Sequence, residues 1–293
     1  MSNQLRRLKA ALPFPVLAYV MHTMEDIKTK TAGTYSAASD FYDHPANSFW
    51  ERYGRRTVER LRLSAGARVL DVCCGSGASA IPAAKAVGPS GSVLAVDLAE
   101  NLLNLGRVKA RQRGLTNLDF HVGDMLDLGL PESSFDAAIC VFGIFFVPDM
   151  QLAVQKLLGL VKPGGKLAIT TWGPRLFEPA NTAFWNSIRT VRPDLYKGFN
   201  PWDRISDPGA VRSLFNGAAV ETLDVVAASG AHTLGSPEDW WSMVLGSGYR
   251  GTIEQLNDTD RERVRQQNID FIRQNNVASV EANVVYAVAV RSN

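Results

Sequence analysis

The sequence predicts an α/β protein: a Rossmann-like, seven-stranded, mostly parallel sheet with helices on both faces, its last strand antiparallel, and with N-terminal and inserted helical cap segments. Three observations predict it. Short apolar runs alternate with amphipathic stretches from residue 68 onward, the rhythm of doubly covered strands joined by helices. The first run, Arg68-Val69-Leu70-Asp71-Val72, passes through Cys73, Gly75 and Gly77 into alanine-rich sequence, which reads as strand, tight turn and helix start. Asp71, Asp97 and Asp124 end successive expected strands, and ligands on such sheets bind at the C-terminal strand ends.

Residues 1–60 are expected to form an N-terminal cap or arm. Arg6, Arg7 and Lys9 precede the apolar stretch Ala10 to Met21, which superficially resembles a signal peptide. Pro13 and Pro15 interrupt it, Glu25, Asp26, Lys28 and Lys30 follow, and no small-residue cleavage pattern is present, so a capping arm over a pocket or a dimer contact is expected instead. The stretch is also too short to span a bilayer, and no stable membrane insertion is expected. Phe49, Tyr53, Thr57 and Leu61 recur every four residues between charged positions, which predicts an amphipathic helix leading into the first strand.

Residues 61–173 are expected to be the core. After the glycine turn, Ile81, Ala84 and Val87 give a helical face that Gly88-Pro89-Ser90-Gly91 breaks. Ser92–Asp97 is a buried strand ending on an acid. A helix ending near Gly114 leads to Leu118–Val122, an alternating strand before Gly123-Asp124. The fourth strand is Asp136–Phe142, followed by a helix through Val161. Lys162-Pro163-Gly164-Gly165 reads as a turn before a fifth strand, Lys166–Trp172. Residues 174–218, rich in aromatics and proline, form an inserted cap segment. Residues 219–293 complete the core with strands at Val220–Val226 and Asn283–Val290, around a helical insertion at about 236–278.

Formal charge is only +2, with no dense Lys/Arg tract, so nucleic acid is not an expected partner. Three cysteines, two of them adjacent, make no disulfide framework and no zinc spacing, so no metal and a reducing, cytoplasmic setting are expected. The expected partner is a small molecule, and a homo-oligomer is left open.

Taken together, these motifs resemble the class I S-adenosylmethionine-dependent methyltransferases. The acid and spaced glycines of that family map to Asp71, Cys73, Gly75 and Gly77, its acid after strand two to Asp97, and its adenine-contacting segment to Gly123-Asp124-Met125. Phe41-Tyr42-Asp43, Phe49-Trp50, Arg55-Arg56-Thr57-Val58-Glu59 and Phe142–Asp149 are similar to the menaquinone/ubiquinone-biosynthesis C-methyltransferase group. The family's first glycine is here Cys73, read as a packing variant. Phe145-Phe146 stand where that group usually carries Arg-Asn, which moves the expected acceptor toward a small apolar or aromatic metabolite.

The resemblance implies S-adenosylmethionine as cofactor, with S-adenosylhomocysteine as product. Asp97 would accept from both ribose hydroxyls, Asp71 would hold the methionyl ammonium directly or through water, and Asp124 would accept from the adenine amino group. Tyr42 would close over the methionyl end, and Leu98, Leu102, Met125 and Phe142 complete the expected donor-binding set. Trp50, Phe145, Phe146, Trp172, Phe177 and Trp202 are expected to roof the acceptor, suiting a planar or lipophilic molecule or, by cation–π attraction, an amine. A proximity mechanism needs no base; should the acceptor carry a proton of high pKa, His22 and His44 lead the candidates, ahead of His232, Asp149 and Glu178, while His121 reads as structural.

Two other readings stay open. Gly75-Ser76-Gly77-Ala78-Ser79-Ala80 nearly fits the dinucleotide fingerprint, as in an NAD(P)-dependent oxidoreductase, although Asp71 would repel a pyrophosphate. A non-catalytic scaffold that kept the methyltransferase fold is the other.

Overall fold

The computed structural model describes residues 28–293. His22 and the apolar Ala10–Met21 stretch lie outside the described residues. Nine strands run through the described residues: β1 Arg68–Val72, β2 Ser92–Asp97, β3 Leu118–Val122, β4 Phe135–Val141, β5 Val161–Trp172, β6 Val220–Ala228, β7 Ala231–Thr233, β8 Ser279–Glu281 and β9 Val284–Arg291. Seven make one sheet in the order β3-β2-β1-β4-β5-β9-β6. β1 through β5 pair in parallel, and β9 runs antiparallel to both β5 and β6. The strand order reverses between β1 and β4, so the crevice above their C-terminal ends is where such a sheet receives a ligand.

Strand β1 forms because Val69, Leu70 and Val72 are fully buried between helices, the pattern of a doubly covered parallel strand. The Phe49–Leu61 helix buries Phe49, Trp50, Tyr53, Thr57, Val58 and Leu61. Its backbone presses on the turn after β1: a Cβ on Gly54 would lie 2.4 Å from the Ala78 carbonyl oxygen. Thr57 Oγ1 and Thr170 Oγ1, 2.7 Å apart, tie the same helix to β5.

Two expectations shift. The fourth strand begins at Phe135 and ends at Val141, leaving Phe142 just beyond it with a left-handed backbone, φ +54°. The anticipated Lys162–Gly165 turn is an excursion inside β5: Phe135 pairs with Val161 and Ala137 with Lys166. Gly164, at φ +74°, allows it.

The Ala180–Val191 and Asp258–Gln274 helices pack on each other. Asn268 is fully buried between them, which is tolerable because its amide is satisfied: Trp240 Nε1 donates to Oδ1 at 2.9 Å, and Nδ2 donates to Ser187 Oγ at 3.2 Å and the Val264 carbonyl at 2.8 Å. The short β7–β8 pair closes the insertion. Among the described residues no helix is long and apolar enough to cross a membrane.

Candidate functional site

The turn after β1 alternates left-handed residues: Cys73 at φ +54°, Gly75 at +54° and Gly77 at +89°. Glycine adopts this region freely, whereas Cys73 does so at a cost on the order of 1–3 kcal/mol. Room for its side chain comes from Gly143 after β4, where an added Cβ would lie 2.4 Å from Cys73 Cβ. A hydrogen bond with Cys140, then burial, holds the Cys73 thiol well above its usual range, and Met125 Sδ lies 3.9 Å from Cys73 Sγ. An uncharged thiol packed on sulfur behaves as a small hydrophobe.

Asp97 anchors this turn to β2. Its Oδ2 accepts from the Gly75 N–H at 2.8 Å and its Oδ1 from the Ala99 N–H at 2.9 Å. Burial raises its pKa while the N–H groups of Ala99, Gly75 and Leu98 oppose that shift. Asp43 Oδ1 accepts from Ser76 Oγ at 2.7 Å and Lys109 Nζ at 2.8 Å, clasping the cap to the turn. Tyr42 is thereby set above Gly75, where a Cβ would come within 2.7 Å of its hydroxyl, and it stacks on Trp50 at 5.2 Å.

A cavity opens at the C-terminal strand ends. Tyr42, Trp50, Cys73, Gly75, Asp97, Leu98, Leu102, Asp124, Met125, Phe142 and Phe146 line it. Asp124 Oδ1 accepts from the Leu126 N–H at 2.9 Å, and its Oδ2 pairs with Lys28 Nζ. Lys28, Thr31, Ala32 and Tyr35 also line the cavity. They share one face of the helical stretch 28–37, at spacings of three, four and seven residues. That periodicity was a usable signal, and sequence reasoning did not exploit it.

A second cavity adjoins the first. Phe145, Phe146, Trp185, Trp202, Phe199 and Tyr249 supply its aromatic walls, with Lys30, Lys197 and Arg204. Thr31, Tyr35, Phe146, Val147 and Pro148 line both cavities, and the Tyr35 and Phe146 rings meet edge-on at 5.7 Å.

Other expected residues stand elsewhere. Asp71 is fully buried beneath the turn rather than on either cavity wall: Oδ2 accepts from Ser79 Oγ at 2.7 Å, Oδ1 has no partner among the described residues, and burial pushes its pKa up to about 7. Gly77 shapes the turn without lining a cavity; a Cβ there would meet Phe120 at 3.1 Å. Trp172 stacks under Phe142 at 3.8 Å and Phe177 sits against Trp172 at 5.4 Å, so both are core supports and not roof. His44 is drawn away from the cavities because its Nδ1 accepts from the Ala46 N–H at 3.2 Å, capping the Pro45–Asn47 turn. His232 Nε2 is spent on the Ala46 carbonyl at 2.7 Å, and burial lowers its pKa. Asp149 caps a helix through Leu152 N–H, Glu178 caps one through Asn181 and Thr182, and His121 is exposed on β3.

Sheet order, the glycine turn after β1 and the acid ending β2 define a class I S-adenosylmethionine-dependent methyltransferase fold. More particularly, the chain belongs to the ubiE/COQ5 methyltransferase family, whose model matches residues 20–199. It is 36% identical over 117 residues to a demethylmenaquinone methyltransferase of Listeria welshimeri, spanning 40% of this chain and 50% of that protein. It is 39% identical over 121 residues to one of Geobacillus kaustophilus, spanning 41% and 52%. The chain thus spans about half the length of the curated relatives it matches. The solved structure of the YcgJ protein from Bacillus subtilis shares its fold, with a TM-score of 0.55 at 16% identity over 83% of this chain and 99% of that one.

Proposed function

We propose that the protein binds S-adenosylmethionine in the first cavity and transfers its methyl group to a small apolar or aromatic acceptor held in the second. Family membership supports the activity, and the state of the turn favours it over a dinucleotide reading. The Gly75 N–H already donates to Asp97 and the Gly77 N–H to the Cys74 carbonyl at 2.9 Å, while the Phe49–Leu61 helix covers Ala78 and Ser79. A pyrophosphate would need those N–H groups open. This occupied turn, with Asp97 on the cavity wall, is the observation that carries the proposal.

Bound there, S-adenosylmethionine would supply an electrophilic methyl on its sulfonium. Asp97 is the acceptor for ribose hydroxyls, and Asp124 for the purine amino group in place of Lys28. Leu98, Leu102 and Met125 give apolar contact, and Tyr42 with Trp50 closes the side next to Gly75. Asp71 acts through the turn it supports. Tyr35, whose hydroxyl burial keeps neutral, and Phe146 form the junction through which donor and acceptor meet. These side chains align donor and acceptor and exclude water, which can supply about 7–11 kcal/mol; among the described residues no histidine lines either cavity. The free thiols of Cys73, Cys74 and Cys140 suit a reducing, cytoplasmic setting.

Turnover tests this reading. Incubating the protein with S-adenosylmethionine and fractionated metabolite extract should yield S-adenosylhomocysteine in proportion to one methylated product. Replacing Phe145 and Phe146 by Ala should raise the acceptor KM several-fold while donor affinity falls far less, since Phe145 lines only the second cavity. Equal damage to both would contradict the division into two cavities.

A further inference from the structure

The second cavity carries a charge pattern that the choice of an apolar or aromatic acceptor leaves unused. Lys30, Lys197 and Arg204 line it, and among the described residues no carboxylate does. Nor does any of the three form an ion pair among those residues; Arg204 Nε donates only to the Pro201 carbonyl at 3.3 Å. Lys197 is exposed along much of its length, yet its ammonium lies 5.8 Å from the Trp185 ring. Desolvation, then the like charge of Lys30, lowers its pKa. Two acids, Glu178 and Asp203, line an adjoining groove that shares Trp185, Lys197 and Trp202 with this cavity and add to the raised pKa of Tyr249 on its wall, but their oxygens are engaged by Asn181, Thr182 and the Asn200 N–H rather than by the three cations.

An independent observation points the same way. Trp185 lines the cavity, and its indole Nε1–H is buried with no hydrogen-bond partner among the described residues. A buried donor left unmade is costly, and its natural complement is an oxygen acceptor. Like charges that make no ion pair among the described residues, set beside such a donor, are relieved by an anion.

We propose that the acceptor is an apolar or aromatic acid. Its carboxylate is held by Lys30, Lys197 and the Trp185 indole, and its apolar body lies on Phe145 and Trp202. This rests on the methyl-transfer reading, and it replaces the earlier expectation of a cationic amine, which the same three cations would repel. Specificity then comes from the junction of residues 185–204 with helical stretch 28–37, which also borders the donor cavity through Lys28, Thr31, Ala32 and Tyr35.

The test is a calorimetric titration of the full chain with 2-naphthoate and, separately, with its neutral counterpart 2-naphthamide. Naphthoate should bind about tenfold tighter or more, as a hydrogen bond to a charged group allows, and added salt should narrow the gap. In the double variant Lys30→Gln, Lys197→Gln the preference should vanish while naphthamide affinity and thermal unfolding stay as they were. Equal affinities in the unmodified protein, no binding of either probe, or a preference that survives the double substitution overturns the proposal. Titrating S-adenosylmethionine into the same preparations reads the donor site separately: failure there overturns the methyl-donor reading, whereas charge-blind binding with the donor bound overturns only the acid.

Discussion

Replacing Asp97 with Ala is expected to weaken S-adenosylmethionine binding by tenfold or more, the equivalent of about 1.5–3 kcal/mol for a hydrogen bond to a charged group. The loss has two sources. The carboxylate is the acceptor proposed for the ribose, and it also holds the Gly75 and Ala99 N–H groups at 2.8 and 2.9 Å. Without it the turn loses its tie to β2 and two N–H groups lose their acceptor. Calorimetry on the variant, with circular dichroism to show that the fold persists, measures the effect. A folded variant with unchanged affinity would remove Asp97 from the site.

A pH effect on stability is expected from Asp71. Its carboxyl, fully buried with only Ser79 donating to it among the described residues, has its pKa raised from 3.8 to about 7, chiefly by desolvation. The folded protein therefore keeps a proton that the unfolded chain releases. Stability from this group is fully present below about pH 4 and is lost as pH rises through 7, a change of about 4 kcal/mol at most, since one pKa unit is worth about 1.4 kcal/mol. Asp71→Asn keeps an acceptor for Ser79 and removes the titration. Urea unfolding of both forms at pH 5 and pH 8 should show the variant gaining on the parent at the higher pH. A difference independent of pH would mean that Asp71 is not buried as described.

What was legible in the sequence follows from how local each signal is. The Phe49–Leu61 helix and the strands Ser92–Asp97 and Leu118–Val122 lie where their periodicities put them, because each pattern is written in contiguous residues. Asp97, Asp124, Gly75 and Met125 reach one cavity because strand ends converge in any sheet of this order. Asp71 was harder to place, since being near a strand end does not say which side of the turn a side chain enters; the Ser79 hydroxyl takes it inward. His44 departs from its expected place for a related reason: a ring beside Pro45 can satisfy a turn N–H as readily as face a ligand. The second cavity joins residues 30, 145, 185, 197, 204 and 249, which share no local pattern, so only the packing of the cap on the insertion reveals it.

The measurement closest to the central claim is a parallel calorimetric titration of the unmodified protein with S-adenosylmethionine and with NADH. The proposed donor site predicts saturable binding of S-adenosylmethionine and none of NADH, because the turn's glycine N–H groups are already engaged. Binding of NADH without S-adenosylmethionine would contradict it, and binding of neither would leave a methyltransferase fold without its chemistry.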